Sequence, residues 1–396
     1  MTNYNRISSI DIMRGLTLAL MLFFNDLHMK VATIWPEHQE TNLDGIALAD
    51  WIFPAFLFLV GMSIPFSFSK RFSRGDSLHE ISRHIIIRFI SLLIIGVLIL
   101  NTGRMDAELT GISRNLWAIL MYAGVFLIWN DYPDKENKFF TITGLRLIGM
   151  AILAFLIFKL KSGQPENNGS LITGWWGILG LIGWGYLAAA FAYVFFRDSI
   201  VKTALLTVFF LVMNILSGWN LIGFPDIIKP IFGVIIDGYV PFIVLSGLIA
   251  GLIVKKLPPT EHRKVIPVIM ALGIFYLVAG FVLRNLVIIS GVNGTPGRAM
   301  IFCGISLLVF ILIYWIADVK KLTGWAKFIR PAGENSLTTY LAPKVIYYLI
   351  WSAGIPFFIY KESDNQLIVT GGSLIWSLLM ILLPTLLARL KIKLKL

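Results

Sequence analysis

The chain is expected to fold as an all-α, polytopic membrane helix bundle of about 11–12 transmembrane helices. Three observations point there. Of 396 residues 57% are hydrophobic and 14% charged, with a mean hydropathy of +0.80, more apolar surface than a soluble domain of this size needs. Apolar runs of about 20 residues recur along the whole chain. The basic residues between those runs gather on alternate connections.

The first span, 13–34, carries Asn25, Asp26 and His28 towards its end. No small-residue cleavage site follows it, so it is expected to stay as an anchor rather than leave as a signal peptide. The second span, 48–69, opens on Leu48-Ala-Asp-Trp-Ile-Phe-Pro-Ala-Phe-Leu-Phe-Leu-Val-Gly-Met-Ser-Ile64. Spans at 85–101, 113–130, 140–159 and 174–196 follow. Gly174-Trp-Trp-Gly177 and Gly180-Leu-Ile-Gly-Trp-Gly185 suit close helix packing. The next run, 203–220, precedes a short apolar stretch, Ile231-Phe-Gly-Val-Ile-Ile236, that reads equally as a re-entrant piece; eleven or thirteen spans are therefore alternatives. The runs at 239–254, 265–288, 299–317, 335–354 and 371–388 complete the set. The longest polar connections, around 34–47, 70–84, 160–172 and 355–370, are too short to hold a soluble fold. Residues 1–396 are accordingly expected to form one transmembrane domain.

With twelve spans, about 23 Lys and Arg fall on the N-terminal side and about nine on the other. The positive-inside rule then puts both termini in the cytoplasm of a multi-pass protein of the cell (inner) membrane. The net charge of +12 is a topology signal, and nucleic acid is excluded as a partner on that ground. Cys303 is the lone cysteine; it allows no intrachain disulfide and argues against a thiolate metal site, so no metal is expected.

Polar groups in or beside hydrocarbon mark candidate sites. Asn25, His28 and His38 fall at the outer end of span one and in the loop beyond it, and Asp50 at the outer start of span two. A histidine there can take a proton near neutral pH or attack an acyl group. Asparagine and aspartate can orient it, hold an amine or stabilise an oxyanion. Arg114 and Asn115 open span four; the arginine can pair with Asp50 or Asp106, or hold a phosphate or carboxylate. Lys344 lies within span eleven near Pro343, one turn from Tyr340, and needs a partner or an aqueous cavity. Asn335 and Ser336 can cap that helix, or its first amides can bind an anion.

Several segments resemble a known family. Arg6-Ile-Ser-Ser-Ile-Asp-Ile-Met-Arg-Gly-Leu-Thr17 is similar to the opening of the transmembrane acyltransferases, with Asp11, Arg14 and Gly15 in their expected places. The segments 19–25 and 49–61, Arg114-Asn-Leu-Trp117, Trp315-Ile-Ala-Asp-Val319 and Gly333-Glu-Asn-Ser-Leu-Thr-Thr-Tyr340 narrow the resemblance to the heparan-α-glucosaminide N-acetyltransferase type. It runs in order over essentially the whole chain. Lacking the long luminal segment of the animal enzymes ahead of Arg6, this chain resembles a compact, bacterial form.

The resemblance implies transfer of an acetyl group from cytosolic acetyl-CoA to the amine of a glucosamine beyond the membrane, in a heparan-type or related amino sugar. Its active-site asparagine corresponds to Asn25 and its span-two aspartate to Asp50. Its histidine lies between them, with His38 the nearest match and His28 the alternative; an ungapped count back from Asp50 lands nearer Glu40. Asp11, Arg14, Arg114, Asn115, Asn335, Ser336, Tyr340 and Lys344 are expected to bind substrate or acetyl-CoA. The expected partners are acetyl-CoA, the amino sugar and the bilayer, with a homodimer open through the Gly-rich spans. Two other classes compete: a secondary transporter or flippase of a sugar or sugar-lipid, and an O-acetyltransferase of envelope polysaccharide. A structural scaffold explains none of the polar clustering.

Overall fold

The computed structural model describes residues 7–27, 45–133, 138–163, 169–219, 221–222, 228–257, 261–289 and 294–396. In chain order its α-helices are α1 (Ser8–Asp26), α2 (Leu48–Ser73), α3 (Leu78–Arg104), α4 (Ala107–Thr110), α5 (Arg114–Trp129), α6 (Phe139–Lys159), α7 (Gly177–Phe196), α8 (Ile200–Gly218), α9 (Lys229–Asp237), α10 (Tyr239–Lys256), α11 (His262–Leu283), α12 (Pro296–Tyr314), α13 (Arg330–Glu334), α14 (Ser336–Ser352) and α15 (Gln366–Arg389). The all-α expectation holds.

Among the described residues, nine helices are long and apolar enough to cross a membrane: α2, α3, α6, α7, α8, α10, α11, α12 with its extension to Val319, and α15. Three more correspond to the remaining expected spans. The 16 residues of α5 and the 17 of α14 are short, and α1 carries Asp11, Arg14 and Asp26 within 19 residues. The stretch at 231–236, which the sequence allows as a re-entrant piece, lies in the nine-residue α9. It does not add a span.

Local sequence explains the ends. Ser77 and Glu80 form a reciprocal capping box on α3, with Glu80 accepting from the Ser77 amide at 2.7 Å. Ser113 and Asn365 cap α5 and α15. The start of α1 is capped from far away: the Asp318 carboxylate accepts from the Ser8 and Ser9 amides at 3.0 and 2.9 Å. That cap begins the helix at Ser8, five residues before the apolar run expected at 13.

In lipid, the apolar gain between helices is small, so close van der Waals packing decides which helices meet. The core pairs α2 with α10, where a Cβ on Gly61 would overlap the Val244 carbonyl and one on Gly247 the Phe58 carbonyl. Glycine is needed at both for backbone contact. The Gly-rich stretch ahead of and along α7 packs on α3 of the same chain. By contrast α6, α8 and α11 leave large apolar side chains such as Phe140, Leu205 and Phe275 exposed, as lipid-facing helices do.

The bundle has two faces. The start of α1, Asp318, α13, the start of α14 and the end of α15 share one: the Leu394 amide donates to Thr338 Oγ1 at 3.0 Å, and the Asn130 side chain bonds the Lys393 amide at 2.8 Å. Ile7 and Leu396 thus lie on the same side. The opposite face gathers the end of α1, the starts of α2, α10, α12 and α15, and the end of α14.

Candidate functional site

Asp50 sits in the first turn of α2, where its Oδ2 accepts from the Ala47 amide at 2.8 Å. Its Oδ1 lies 3.6 Å from Nη2 of Arg298, in the first turn of α12; the two side chains are 0% and 10% exposed. A cation at a helix N-terminus opposes the helix dipole, and Asp50 offsets that. The neighbouring Trp51 indole donates to Ser306 Oγ at 3.0 Å, locking α2 to α12. The Tyr239 ring lies against Gly294, where a Cβ would overlap it, and Asn214 donates to the carbonyls of Asp237 and Gly294 at 3.0 and 2.8 Å. Burial raises the Asp237 carboxyl above its ordinary range, against hydrogen bonds from Ser217 and the Tyr239 amide. Tyr239 Oη, Thr295 Oγ1 and Asn214 Oδ1 are buried without a hydrogen-bond partner. Unpaired buried polar atoms are costly, and their grouping makes this corner fit for water or a polar ligand.

A second acid is buried on the same face. Asp26, in the last turn of α1, pairs with Lys361 at 2.7 Å and accepts from the hydroxyls of Tyr360, at 2.6 Å, and Tyr347. Its neighbour Asn25 is exposed, because one residue turns the helix about 100°.

The opposite face holds the charges of the opening motif. Arg14 lies 3.6 Å from Asp11, and its Nη1 donates to the Gly333 carbonyl at 3.3 Å. Ser336 Oγ donates to that same carbonyl at 2.7 Å. The contact requires Gly333, since a Cβ there would overlap the Asp11 carbonyl. Neither Asn335 nor Ser336 caps α14 as the sequence suggested; Asn335 Nδ2 donates backwards to Pro331 at 3.0 Å, and both side chains satisfy carbonyls of α13.

Between the faces runs one stripe of α14: Ser336, Tyr340, Lys344, then Tyr347 and Tyr348, then Trp351. The spacing keeps them on one side of the helix, and from Ser336 to Trp351 the stripe climbs roughly 22 Å at 1.5 Å per residue. Lys344 Nζ lies over the Tyr340 ring at 5.0 Å, and Tyr348 meets Tyr122 of α5 with ring centroids 6.2 Å apart. Arg114 opens α5 on the Asp50 face, exposed, with Asn115 half-buried beside it. Its guanidinium donates to the Met105 carbonyl at 3.0 Å, and it lines a cleft of about 530 Å³ with Arg104, Asp106 and Glu108. Arg298, rather than Arg114, is the arginine against Asp50, while Asp106 accepts from the amides of α4.

The expected site residues are thus divided. Asn25, Asp50, Arg114 and Asn115 lie on one face, Asp11, Arg14, Asn335 and Ser336 on the other, and Tyr340 and Lys344 on the stripe between. His28 and His38 lie outside the described residues. Sequence reading noted Asp26 among the polar groups at the end of span one but gave it no role, and did not select Lys361, Tyr347, Tyr360 or Arg298 as site residues. A buried aspartate ending a span was the available signal; its partners, over 320 residues away, were not legible.

Fold and site define a multi-pass α-helical membrane protein with buried charge at both faces of its bundle. Residues 6–217, more than half the chain, match the family described as a domain of unknown function (DUF5009), and the chain belongs to that family. It is also distantly similar to two heparan-alpha-glucosaminide N-acetyltransferases. That of Mus musculus is 31% identical over 140 residues, covering 33% of this chain and 21% of that protein. That of Homo sapiens is 34% identical over 120 residues, covering 30% and 18%. The chain spans about a fifth of the length of these curated relatives. The resemblance read from the motifs is borne out, over about a third of the chain rather than nearly all of it.

Proposed function

We propose that this protein is an integral-membrane acetyltransferase that carries an acetyl group from acetyl-CoA on one side to the amine of a glucosamine on the other. On this proposal the Arg14 face is cytoplasmic, which the Lys and Arg distribution supports, the membrane is the inner membrane of a cell, and residues 1–396 act as one domain. The observation that carries the reading is the α14 stripe, which joins Ser336 beside Arg14 to Tyr347 beside Asp26. The similarity to N-acetyltransferases supports the chemistry.

On this reading Arg14, with Lys344 on the stripe, offers positive charge to the phosphates and pantetheine arm of acetyl-CoA. The thioester ends near Asn25 and Asp50. The acceptor nitrogen attacks the thioester carbonyl; a C–N bond forms, the C–S bond breaks, and His38 (His28 is the alternative) takes the amine proton, which the leaving thiolate recovers as CoA thiol. Asn25 steadies the oxyanion. Direct transfer in a ternary complex is favoured over an acetyl-imidazole, which a short external loop shelters poorly. Only two carbons cross the bilayer, so the sugar need not.

The test is transfer of labelled acetyl from acetyl-CoA to glucosamine by purified protein, comparing wild type with His38→Ala, His28→Ala and Asn25→Ala. Label on the amine, lost in Asn25→Ala and in one histidine variant, supports the reading. Label on a hydroxyl instead identifies an O-acetyltransferase. Sugar flux without acetyl-CoA exchange or hydrolysis identifies a transporter.

A further inference from the structure

The connection between α14 and α15 folds back at Ile359–Glu362 and lowers Lys361 onto Asp26. The ammonium is 2.7 Å from Oδ1; the Asp26 side chain is wholly buried, while Lys361 keeps 20% exposure. Two phenols, Tyr347 and Tyr360, donate to the same carboxylate. Burial raises the Tyr360 hydroxyl far above its ordinary range and the Asp26 charge adds to the effect, so it stays protonated as a donor. The ammonium also faces the rings of Phe358, Tyr347 and Tyr360 at 4.8, 5.0 and 6.0 Å. Trp351 and Trp376 pack behind Tyr347, with centroids at 5.4 and 4.7 Å.

A carboxylate with two phenolic donors, set among aromatic faces, is a receptor for a primary ammonium group. Charge, hydrogen bonding and the ring quadrupoles all select a cation. A buried ion pair serving stability alone gains little over apolar packing. This one is carried on a four-residue turn whose cation remains reachable from outside.

We infer that Asp26, Tyr347 and Tyr360 form the subsite that captures the ammonium group of the acceptor, and that Lys361 is its tethered occupant, displaced when an acceptor enters. Identifying that acceptor as an amino sugar rests on the transfer reading above; the preference for a primary ammonium rests on the geometry. The subsite binds the protonated amine. The proton is removed later, by the base of the transfer step.

The test is equilibrium binding of glucosamine, N-acetylglucosamine and glucose to the full-length purified protein without acetyl-CoA. Lys361→Met should bind glucosamine about tenfold tighter than wild type, as expected when a competitor holding the site roughly nine-tenths of the time is removed. Its affinity for the other two sugars should not change. Asp26→Asn should lose the preference for glucosamine. In the wild type, glucosamine but not N-acetylglucosamine should increase modification of Lys361 by an amine-directed reagent, read by mass spectrometry. This second measurement requires no substitution and decides the matter if a variant misfolds. Lys361 labelling indifferent to glucosamine, or unchanged or weaker glucosamine binding by folded Lys361→Met, overturns the inference. The expected binding in a protein that transfers no acetyl group would defeat the transfer reading and leave the subsite standing.

Discussion

Arg298 and Asp50 meet across 3.6 Å between the first turns of α12 and α2, each almost wholly buried. Removing one charge of such a buried pair typically costs about 3–5 kcal/mol. Arg298→Met should therefore lower the thermal midpoint of the purified protein sharply. Arg298→Met combined with Asp50→Asn should recover much of the loss, because Asn still accepts from the Ala47 amide. A double variant no more stable than Arg298→Met alone would show that the pair does not act as a unit.

Backbone contact between α2 and α10 yields a contrast between two glycines. Gly61→Ala places a methyl group against the Val244 carbonyl and should destabilise by about 1–3 kcal/mol. Gly371→Ala, in α15 with nothing near its Cβ position, should be neutral or stabilise by up to about 1 kcal/mol. Thermal unfolding in detergent ranks the two, and equal effects would contradict the packing.

Asp318 caps α1 from a π-helical turn, Trp315–Val319, that follows α12. Asp318→Ala should cost about 0.5–2 kcal/mol and selectively speed hydrogen exchange at the Ser8 and Ser9 amides. Exchange rates at these amides unaltered by the substitution would contradict the cap.

Lys344 lies midway along the α14 stripe. If it meets the anionic arm of acetyl-CoA, Lys344→Met should reduce kcat/KM for acetyl-CoA about 10- to 100-fold, the worth of about 1.5–3 kcal/mol for a hydrogen bond to a charged group. Lys344→Arg should retain more activity. Transfer of labelled acetyl measures both.

Orientation is open to direct labelling. With buried Cys303 replaced by serine, a membrane-impermeant thiol reagent added to intact cells should modify Glu108→Cys. It should reach Gly75→Cys only after permeabilisation, since both sites are exposed but lie at opposite ends of α3. The reverse pattern would place the Arg14 face outside.

Hydropathy sufficed for the order of the long apolar helices, nine of which among the described residues are long and apolar enough to cross a membrane, since a chain in lipid must satisfy its backbone within each helix and so announces its spans locally. The opening motif likewise exposed the family resemblance, and Asp11, Arg14 and Asp50 were visible as charges where hydrocarbon tolerates few. Apart from the Asp11–Arg14 pair, three residues apart, the partners of the buried charges were not. Arg298 against Asp50, Lys361 against Asp26, Asp318 on the start of α1 and Gly333 under Arg14 join positions more than 240 residues apart. One-dimensional pattern records how costly a buried charge is, whereas which opposite charge or carbonyl satisfies it follows from how helices pack, and that is decided by backbone approach at glycines and by long-range contact alone.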